Sequence, residues 1–184
     1  MEKHTTYTDI IIIGAGLSGI GAACHLSRKH PNKSYVILES RKELGGTWSL
    51  FKYPGIRSDS DMYTFGYSFK TWDNPKSFAD ASSILKYLNE ASNEFKVKSH
   101  IKYQQRVISY NFNTCKKVWL ITAINTITGE ELVYTCNFIF SCSGYYNYNK
   151  GYMPEFKGQS DYEGKIIHPQ KWPENFDYTN KKIV

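Results

Sequence analysis

The stretch "DIIIIGAGLSGIGAACHLSRKHPNKSYVILES", residues 9–40, decides the fold of this chain. Residues 9–13 form a short run rich in β-branched side chains, which is typical of a strand buried on both faces of a parallel sheet. Residues 17–30 have the apolar spacing of a helix, and Pro31 ends that helix. Residues 35–38 read as a second buried strand. The stretch therefore predicts one βαβ unit with short connections.

Three glycines lie between the predicted strand and the predicted helix, in the order G-x-G-x-x-G. In this context Gly14 permits a tight turn, Gly16 lets the backbone approach a pyrophosphate, and Gly19 lets helix and strand pack closely. Glu39 ends the second strand, 20 residues after Gly19, which is the distance at which an acid reaches a ribose diol. Because its carboxylate would repel a 2′-phosphate, the spacing predicts FAD or NAD(H) and not NADP(H).

The rest of the chain distinguishes FAD from NAD. Residues 39–69 form a long loop with little periodicity, which favours a packed, site-building segment. Residues 82–95 predict an amphipathic helix, and residues 136–149 include another buried strand. Three strand-like runs between them form a predicted antiparallel meander: 107–112, 118–124 and 131–135. We therefore predict an α/β fold of the Rossmann type, with a parallel sheet plus an antiparallel β-meander, as in two-dinucleotide-binding flavoproteins. An NAD-dependent dehydrogenase would instead repeat its βαβ pattern here.

Composition and charge exclude several other classes. The chain has 184 residues and a net charge of +6, but its lysines are scattered, so a solvated surface is favoured and nucleic-acid binding is not. Its four cysteines lack zinc spacing, which predicts reduced thiols and no metal, although a disulfide is not excluded by the sequence. We find no signal peptide or membrane-span pattern and expect a cytoplasmic protein.

Five ordered motifs together resemble class B flavoprotein monooxygenases, in particular the Baeyer–Villiger type. They are residues 14–19, "GGTW" (45–48), "YPGIRSDSDMYTFGYSF" (53–69), "FIFSCSGYYN" (138–147) and "GKIIHPQKWP" (164–173). The fingerprint of that family is F-x-G-x-x-x-H-x-x-x-W-P. This sequence matches it with Tyr162 in the place of Phe, followed by Gly164, His168, Trp172 and Pro173.

The resemblance implies two parts: an FAD-binding domain in residues 1–150, and a hinge in residues 151–184 toward an NADP-binding domain absent from this chain. It implies catalytic roles for Asp59, as the acid that positions an active-site arginine, and for His168, as an organiser of the hinge. The alternative for Asp59 is a solvated turn residue or a local cap, because the sequence around it is turn-like. The implied FAD contacts are Gly14, Gly16, Ser18, Gly19, Glu39, Gly46, Thr47, Trp48, Leu50, Arg57, Ser58, Asp59 and Val107.

The implied activity is an NADPH- and O₂-dependent oxygenation through a C4a-peroxyflavin. The substrate would be a ketone or a soft sulfur or nitrogen centre, and the sequence leaves that choice open. Residues 181–184, "KKIV", read as the start of a strand, so the fold is expected to be incomplete at the C-terminus, with the main NADPH site outside. We therefore expect the chain alone to be inactive and to associate through exposed apolar surface. The alternative is a non-catalytic remnant that binds FAD or a partner chain.

Overall fold

Two four-stranded sheets frame the structure, a computed structural model that describes residues 5–184. Within these residues the strands are β1 (Thr5–Tyr7), β2 (Ile10–Ile13), β3 (Tyr35–Leu38), β4 (Ile101–Lys102), β5 (Gln105–Asn113), β6 (Val118–Asn125), β7 (Glu131–Cys136) and β8 (Phe138–Ser141). The α-helices of the same residues are α1 (Leu17–Lys29), α2 (Thr47–Leu50), α3 (Met62–Phe65) and α4 (Ala81–Glu94). Single-turn 3₁₀ helices lie at Val97–His100, Gln159–Asp161 and Pro169–Lys171.

The first sheet is parallel throughout, with the strand order β4-β3-β2-β8. Alternate residues of β2 point to opposite faces, and both faces are covered. Ile12 packs in a core with α1 and α4, whereas Ile11 and Ile13 pack in a second core with Ile121 and Ala123 of the meander. Burial on both faces explains why β2 is apolar at every position rather than at every second one.

The second sheet confirms the predicted meander, because β5, β6 and β7 pair antiparallel in sequence order. A bulge between Val107 and Ser109 interrupts the pairing of β5 with β6. The structure adds β1, which runs parallel to β7 at the edge of this sheet and was not predicted. Its three residues are exposed, and so short a polar segment gives no periodicity from which a strand could be predicted.

Two predictions about strands were wrong. The strand predicted as buried within residues 136–149 is β8, whose residue Phe138 is 54% exposed. In the described residues β8 pairs only with β2, and Phe138 and Phe140 line a groove of about 530 Å³ along α1. Residues 181–184 form no strand, because a strand needs a hydrogen-bonded neighbour and none lies beside them in the described chain.

The loop predicted to be packed and site-building contains the two short helices α2 and α3. Asp61 caps α3, since its side chain accepts a hydrogen bond from the Thr64 N–H at 2.9 Å. Met62, the first residue of that helix, is fully buried in the core with α1 and α4. The loop is therefore anchored to the core and is not an independent surface excursion.

Residues 5–184 contain neither a candidate membrane-spanning helix nor a candidate metal cluster. None of their helices is both long and apolar enough to cross a bilayer. No group of three or more His, Cys, Asp or Glu side chains among them could hold a metal ion. All four cysteines are free thiols, and Cys24 and Cys136 are buried.

The N-cap of α4 provides a test of the fold. The Asp80 carboxylate accepts hydrogen bonds from the Ser82 hydroxyl at 2.6 Å and the Ser83 N–H at 2.8 Å, and these bonds lower its pKa from its ordinary value. We expect Asp80→Ala to reduce the free energy of unfolding at pH 7 by about 1 kcal/mol. Because the folded pKa is lowered, this stabilisation is present above the unfolded pKa and disappears as the pH falls through the folded pKa.

Urea unfolding of wild type and Asp80→Ala across a pH series measures this difference. Asp73→Ala is the matched control, since Asp73 is exposed and lies outside any helix. A stability difference that stays constant from neutral to strongly acid pH would contradict the capping role of Asp80.

Candidate cofactor-binding site

A cleft of about 900 Å³ opens at the carboxyl ends of the parallel strands. Its wall includes Gly14 after β2, Glu39 after β3 and Ser143 after β8. The strands β3 and β8 lie on opposite sides of β2, so the strand order changes direction at β2. Such a switch in strand order is where open α/β sheets bind their ligands.

Each of the three motif glycines meets a different steric constraint. Gly14 has φ +100°, and a Cβ there would lie 2.6 Å from the Cys142 carbonyl oxygen. A Cβ on Gly19 would lie 1.9 Å from the carbonyl oxygen of Gly14, so α1 packs on the turn backbone to backbone. A Cβ on Gly16 would meet only the Gly46 Cα at 3.7 Å. Gly16 therefore leaves open space in the cleft, whereas Gly14 and Gly19 serve the turn and its packing.

The N-terminus of α1 faces this open space. In the described structure no side chain caps the helix, and its first turn contains no acidic residue. Arg28 and Lys29 lie in its last turn, where cations complement the helix dipole. A 13-residue helix with an uncapped N-terminus presents free N–H groups and a positive potential, which fit a phosphate. Ser18, in the first turn, is exposed to the cleft.

The carboxylate of Glu39 is fixed in place, and its side chain is almost fully buried. Oε2 accepts a hydrogen bond from the Ala15 N–H at 2.7 Å, and Oε1 accepts one from the Arg41 N–H at 2.8 Å. An ionised carboxylate has further lone pairs, and Glu39 lines the cleft, so it can still accept hydroxyl donors there. The geometry suits recognition of a diol next to the glycine turn.

The glycine pair 45–46 holds the next segment against the motif. The Gly45 N–H donates to the Ala15 carbonyl at 2.9 Å, and the Gly46 backbone lies against Gly16. Arg41 fixes the far side of this loop, because its guanidinium donates to the Gly46 carbonyl at 2.9 Å and to the Ser49 hydroxyl at 2.7 Å. The loop thus joins Glu39, which follows β3, to the first turn of α2.

Short helix α2 brings two of its residues to the cleft. Thr47 and Trp48 line it, and the Trp48 ring makes an edge contact with Phe65 at 5.8 Å between centroids. Leu50, at the end of α2, is half-buried and is not among the residues that line the cleft. Leu50 lies two positions after Trp48, and residues two positions apart do not share a face of a helix, so Leu50 points away from the side of α2 that carries Trp48.

The segment 57–59 lines the same cleft beyond α2. Ser58 is buried, its N–H donates to the Ala79 carbonyl at 2.9 Å, and its hydroxyl donates to the Ser60 carbonyl at 2.7 Å. With Ser58 held in this way, the exposed side chains of Arg57 and Asp59 border the cleft. Asp61 is the residue that caps α3, so Asp59 does not serve as the cap of that helix.

His168 lies outside the cleft lining, although its neighbour Pro169 is part of it. Its Nδ1 accepts a hydrogen bond from the Gln170 N–H at 3.1 Å, so Nε2 carries the proton and donates to the Tyr152 carbonyl at 3.2 Å. The ring lies over Gly151, where a Cβ would be only 2.2 Å from the imidazole. Both ring nitrogens of His168 are thus bonded to the backbone of residues 151–184, here called the connector, and His168 itself does not line the cleft.

Val107 lines the cleft near Glu39, with Gln105 and Arg106 beside it. The Gln105 N–H donates to the Glu39 carbonyl at 2.8 Å, which holds this end of β5 against β3. The sequence-based prediction included Val107 but missed Arg106. Arg106 lies in a meander strand with alternating apolar and polar residues, and this pattern gave no reason to predict Arg106 as a site residue.

The sequence also failed to predict the wall that follows β8. It consists of Ser143, Gly144, Tyr145, Tyr146 and Tyr148, together with Pro169. The rule that ligands lie outside the carboxyl ends of parallel strands could have indicated Ser143 and Gly144. Tyr145 and, to a lesser degree, the nearby Asp59 raise the pKa of Tyr146. Burial raises the pKa of the Cys142 thiol and so favours its protonated form.

The fold and this cleft define a Rossmann-type dinucleotide-binding domain with an inserted antiparallel meander, the arrangement of two-dinucleotide-binding flavoproteins. A family described as NAD(P)-binding Rossmann-like domain matches residues 12–88. The FAD-containing monooxygenase EthA of Mycolicibacterium smegmatis is 52% identical over 180 residues, which cover 98% of this chain and 36% of that protein. EthA of Mycobacterium tuberculosis is 48% identical over the same share of both chains.

Solved structures agree with these relatives. Cyclohexanone monooxygenase from Rhodococcus sp. Phi1, bound to NADP⁺, has 25% identity and a TM-score of 0.74, covering 95% of this chain and 32% of that one. OTEMO in complex with FAD and NADP has 28% identity and a TM-score of 0.71, covering 92% and 31%. The chain is thus a homologue of FAD-containing monooxygenases, as its motifs predict, and it spans about a third of their length.

The contact between Gly19 and Gly14 allows a stability test. Gly19→Ala would place a methyl group against a backbone oxygen that no side-chain movement can relieve. We expect the free energy of unfolding to fall by more than about 4 kcal/mol, or soluble protein to be lost. Thermal unfolding measures it, with Ser18→Ala on the exposed neighbouring position as control. Equal stability of Gly19→Ala and Ser18→Ala would show that the helix does not pack on the turn in this way.

Proposed function

We propose that this chain binds FAD in the cleft and provides the flavin-binding part of an NADPH- and O₂-dependent monooxygenase. One observation supports this most strongly. An open Gly16 at the uncapped N-terminus of α1 lies beside the fixed carboxylate of Glu39, in a chain about half identical to FAD-containing monooxygenases. In Rossmann-type sites, a glycine turn at a helix N-terminus binds the pyrophosphate and an acid after the next strand binds the ribose.

The cleft offers three successive environments for an extended dinucleotide. Glu39 and Val107 suit a ribose and its adenine, and the N–H groups between Gly14 and Ser18 suit a pyrophosphate. Thr47 and Trp48 begin the part of the cleft that continues toward residues 57–59, and this part would hold the isoalloxazine. Bound FAD would supply the electron transfer between a reduced nicotinamide and O₂.

The protein residues at the far end provide charge and shape. Arg57 and Asp59 bring opposite charges to one rim of the cleft, and we propose that Asp59 orients a cationic group near the isoalloxazine. Leu50 would act through the packing of α2, and His168 through the connector that it orders. We divide the chain accordingly into an FAD-binding domain, residues 1–150, and a hinge, residues 151–184.

Several parts of the proposal concern the whole enzyme rather than the cleft. The sequence contains one G-x-G-x-x-G motif, at residues 14–19, so the main NADPH site would lie outside these 184 residues. The substrate would be a ketone or a soft sulfur or nitrogen centre, with O₂ as oxidant. The free thiols are compatible with a cytoplasmic location. The open edge of β8 would favour association with another chain.

Flavin binding is the first measurement. The purified chain is freed of small molecules and titrated with FAD, and visible absorbance and flavin fluorescence are recorded. We expect saturable binding with a shifted flavin spectrum, and competition by ADP at the same cleft. Folded protein that leaves the flavin spectrum unchanged at every FAD concentration would refute FAD binding by this chain.

Gly16→Ala separates the cofactor site from the fold. The added methyl group would make ordinary contact with Gly46, so the melting temperature should stay near that of wild type. The same group would occupy the approach of the pyrophosphate, and we expect the Kd for FAD to rise about tenfold or more. Titration and thermal unfolding of both proteins test this. An unchanged Kd would place the pyrophosphate elsewhere.

Turnover is tested on the FAD-loaded chain with NADPH and oxygen. We expect FAD binding without NADPH consumption, since the reductant would have no site of its own here. This result alone fits both the catalytic lineage and the non-catalytic alternative. Restored NADPH consumption on adding a separate NADP-binding chain would favour the former. Rapid consumption by the 184 residues alone would contradict an external NADPH site.

A further inference from the structure

The side chain of Gln170 joins two distant segments of the chain. Its Nε2 donates hydrogen bonds to the Asn147 carbonyl at 2.9 Å and to the Tyr148 carbonyl at 2.7 Å. Its backbone N–H donates to Nδ1 of His168. One amide group thus uses both of its N–H donors on consecutive backbone carbonyls, while the histidine fixes the backbone from which it extends.

The segment that Gln170 holds forms one wall of the cleft. The Tyr148 hydroxyl lies 3.4 Å from Oγ1 of Thr47, and a Cβ on Gly46 would come equally close to it. The Tyr146 ring makes an edge contact with Phe51 at 5.6 Å between centroids. These contacts place the tyrosine wall, residues 145–148, over Thr47 and Phe51, with Asp59 nearby.

Apart from these contacts of Tyr146 and Tyr148, few interactions hold this wall. Residues 142–150, all of them described, form neither helix nor strand. Tyr145 is 87% exposed and contributes little burial. The side chain of Asn147 bonds only within the wall and the residues just after it, at the N–H groups of Asn149 and Lys150. The carboxamide of Gln170 is therefore its main tie to the connector.

We infer that Gln170 is a positioning residue for cofactor binding: it holds the tyrosine wall in place over the isoalloxazine half of the cleft. This inference rests on the proposed binding of FAD. In that binding mode the adenosine half would lie against Glu39 and Val107, and the hydrogen bonds of the Gln170 side chain reach neither residue. Loss of the tie should therefore weaken the binding of FAD and leave the binding of ADP unchanged.

The chemistry explains why a glutamine serves here. Two backbone carbonyls need two donors from one neutral group, and a carboxamide provides them. A carboxylate of the same shape offers only acceptors, so Gln170→Glu replaces two attractive contacts by repulsion. Gln159→Glu is the matched control, because it makes the same change in the same connector. There the carboxylate can still accept the Phe156 N–H that Gln159 Oε1 accepts at 3.2 Å.

The test compares FAD and ADP titrations of wild type, Gln170→Glu and Gln159→Glu, each with its melting temperature. We expect Gln170→Glu to raise the Kd for FAD about tenfold, as the loss of two hydrogen bonds implies, with ADP affinity and melting temperature unchanged. Gln159→Glu should behave as wild type. Unchanged FAD affinity in Gln170→Glu, or equal weakening of FAD and ADP, would overturn the inference.

Hydrogen exchange of the FAD-free proteins keeps the two proposals separable. Gln170→Glu should speed amide exchange in residues 145–150 and leave exchange in β2 unchanged, whereas Tyr148→Phe should change the wall less. If wild type binds no FAD, the proposed function fails, and the exchange data still decide whether Gln170 holds the wall. Equal exchange of residues 145–150 in wild type and Gln170→Glu would overturn that role.

Discussion

The direct packing of α1 on the turn that follows β2 determines most of the site. Because Gly19 has no side chain, the helix approaches the Gly14 carbonyl so closely that no other residue fits. This approach directs the helix N-terminus at the cleft and brings Ala15 within reach of Glu39, which follows the neighbouring strand β3. The position of the carboxylate and the positive potential of the helix therefore follow from one backbone contact.

The fold was largely predictable because β2 and β3 are unusual in sequence. Ile11, Ile12 and Ile13 are apolar on both faces, which only a strand between two layers requires. The antiparallel meander likewise gave short alternating runs separated by turn signals. The errors concern two strands whose formation or burial depends on other segments of the chain. The strand β1 is too short to show a periodic pattern, and the exposure of β8 depends on the segments that pack beside it.

The residues of the candidate site likewise include some that the sequence could predict and some that it could not. Gly14, Gly16 and Glu39 could be predicted because a fixed spacing links them to a local unit of structure. The residues after β8 could not, since Tyr148 reaches Thr47 from 101 positions away in the sequence. Contacts of that kind depend on tertiary packing, for which a single sequence has no periodic signal. The resemblance to a family supplied Arg57 and Asp59, which local physics alone would leave as turn residues.

The two sides of the cleft differ in how much order they have before any ligand arrives. One side consists of hydrogen-bonded strands and the glycine turn after β2, which have no room for adjustment. The protein therefore loses little conformational entropy when a ligand binds on that side. The other side is an irregular segment attached through side-chain amides and tyrosine rings. Ordering that side further would oppose binding entropically. The two halves of a dinucleotide would thus bind with different balances of enthalpy and entropy, although they share one cleft.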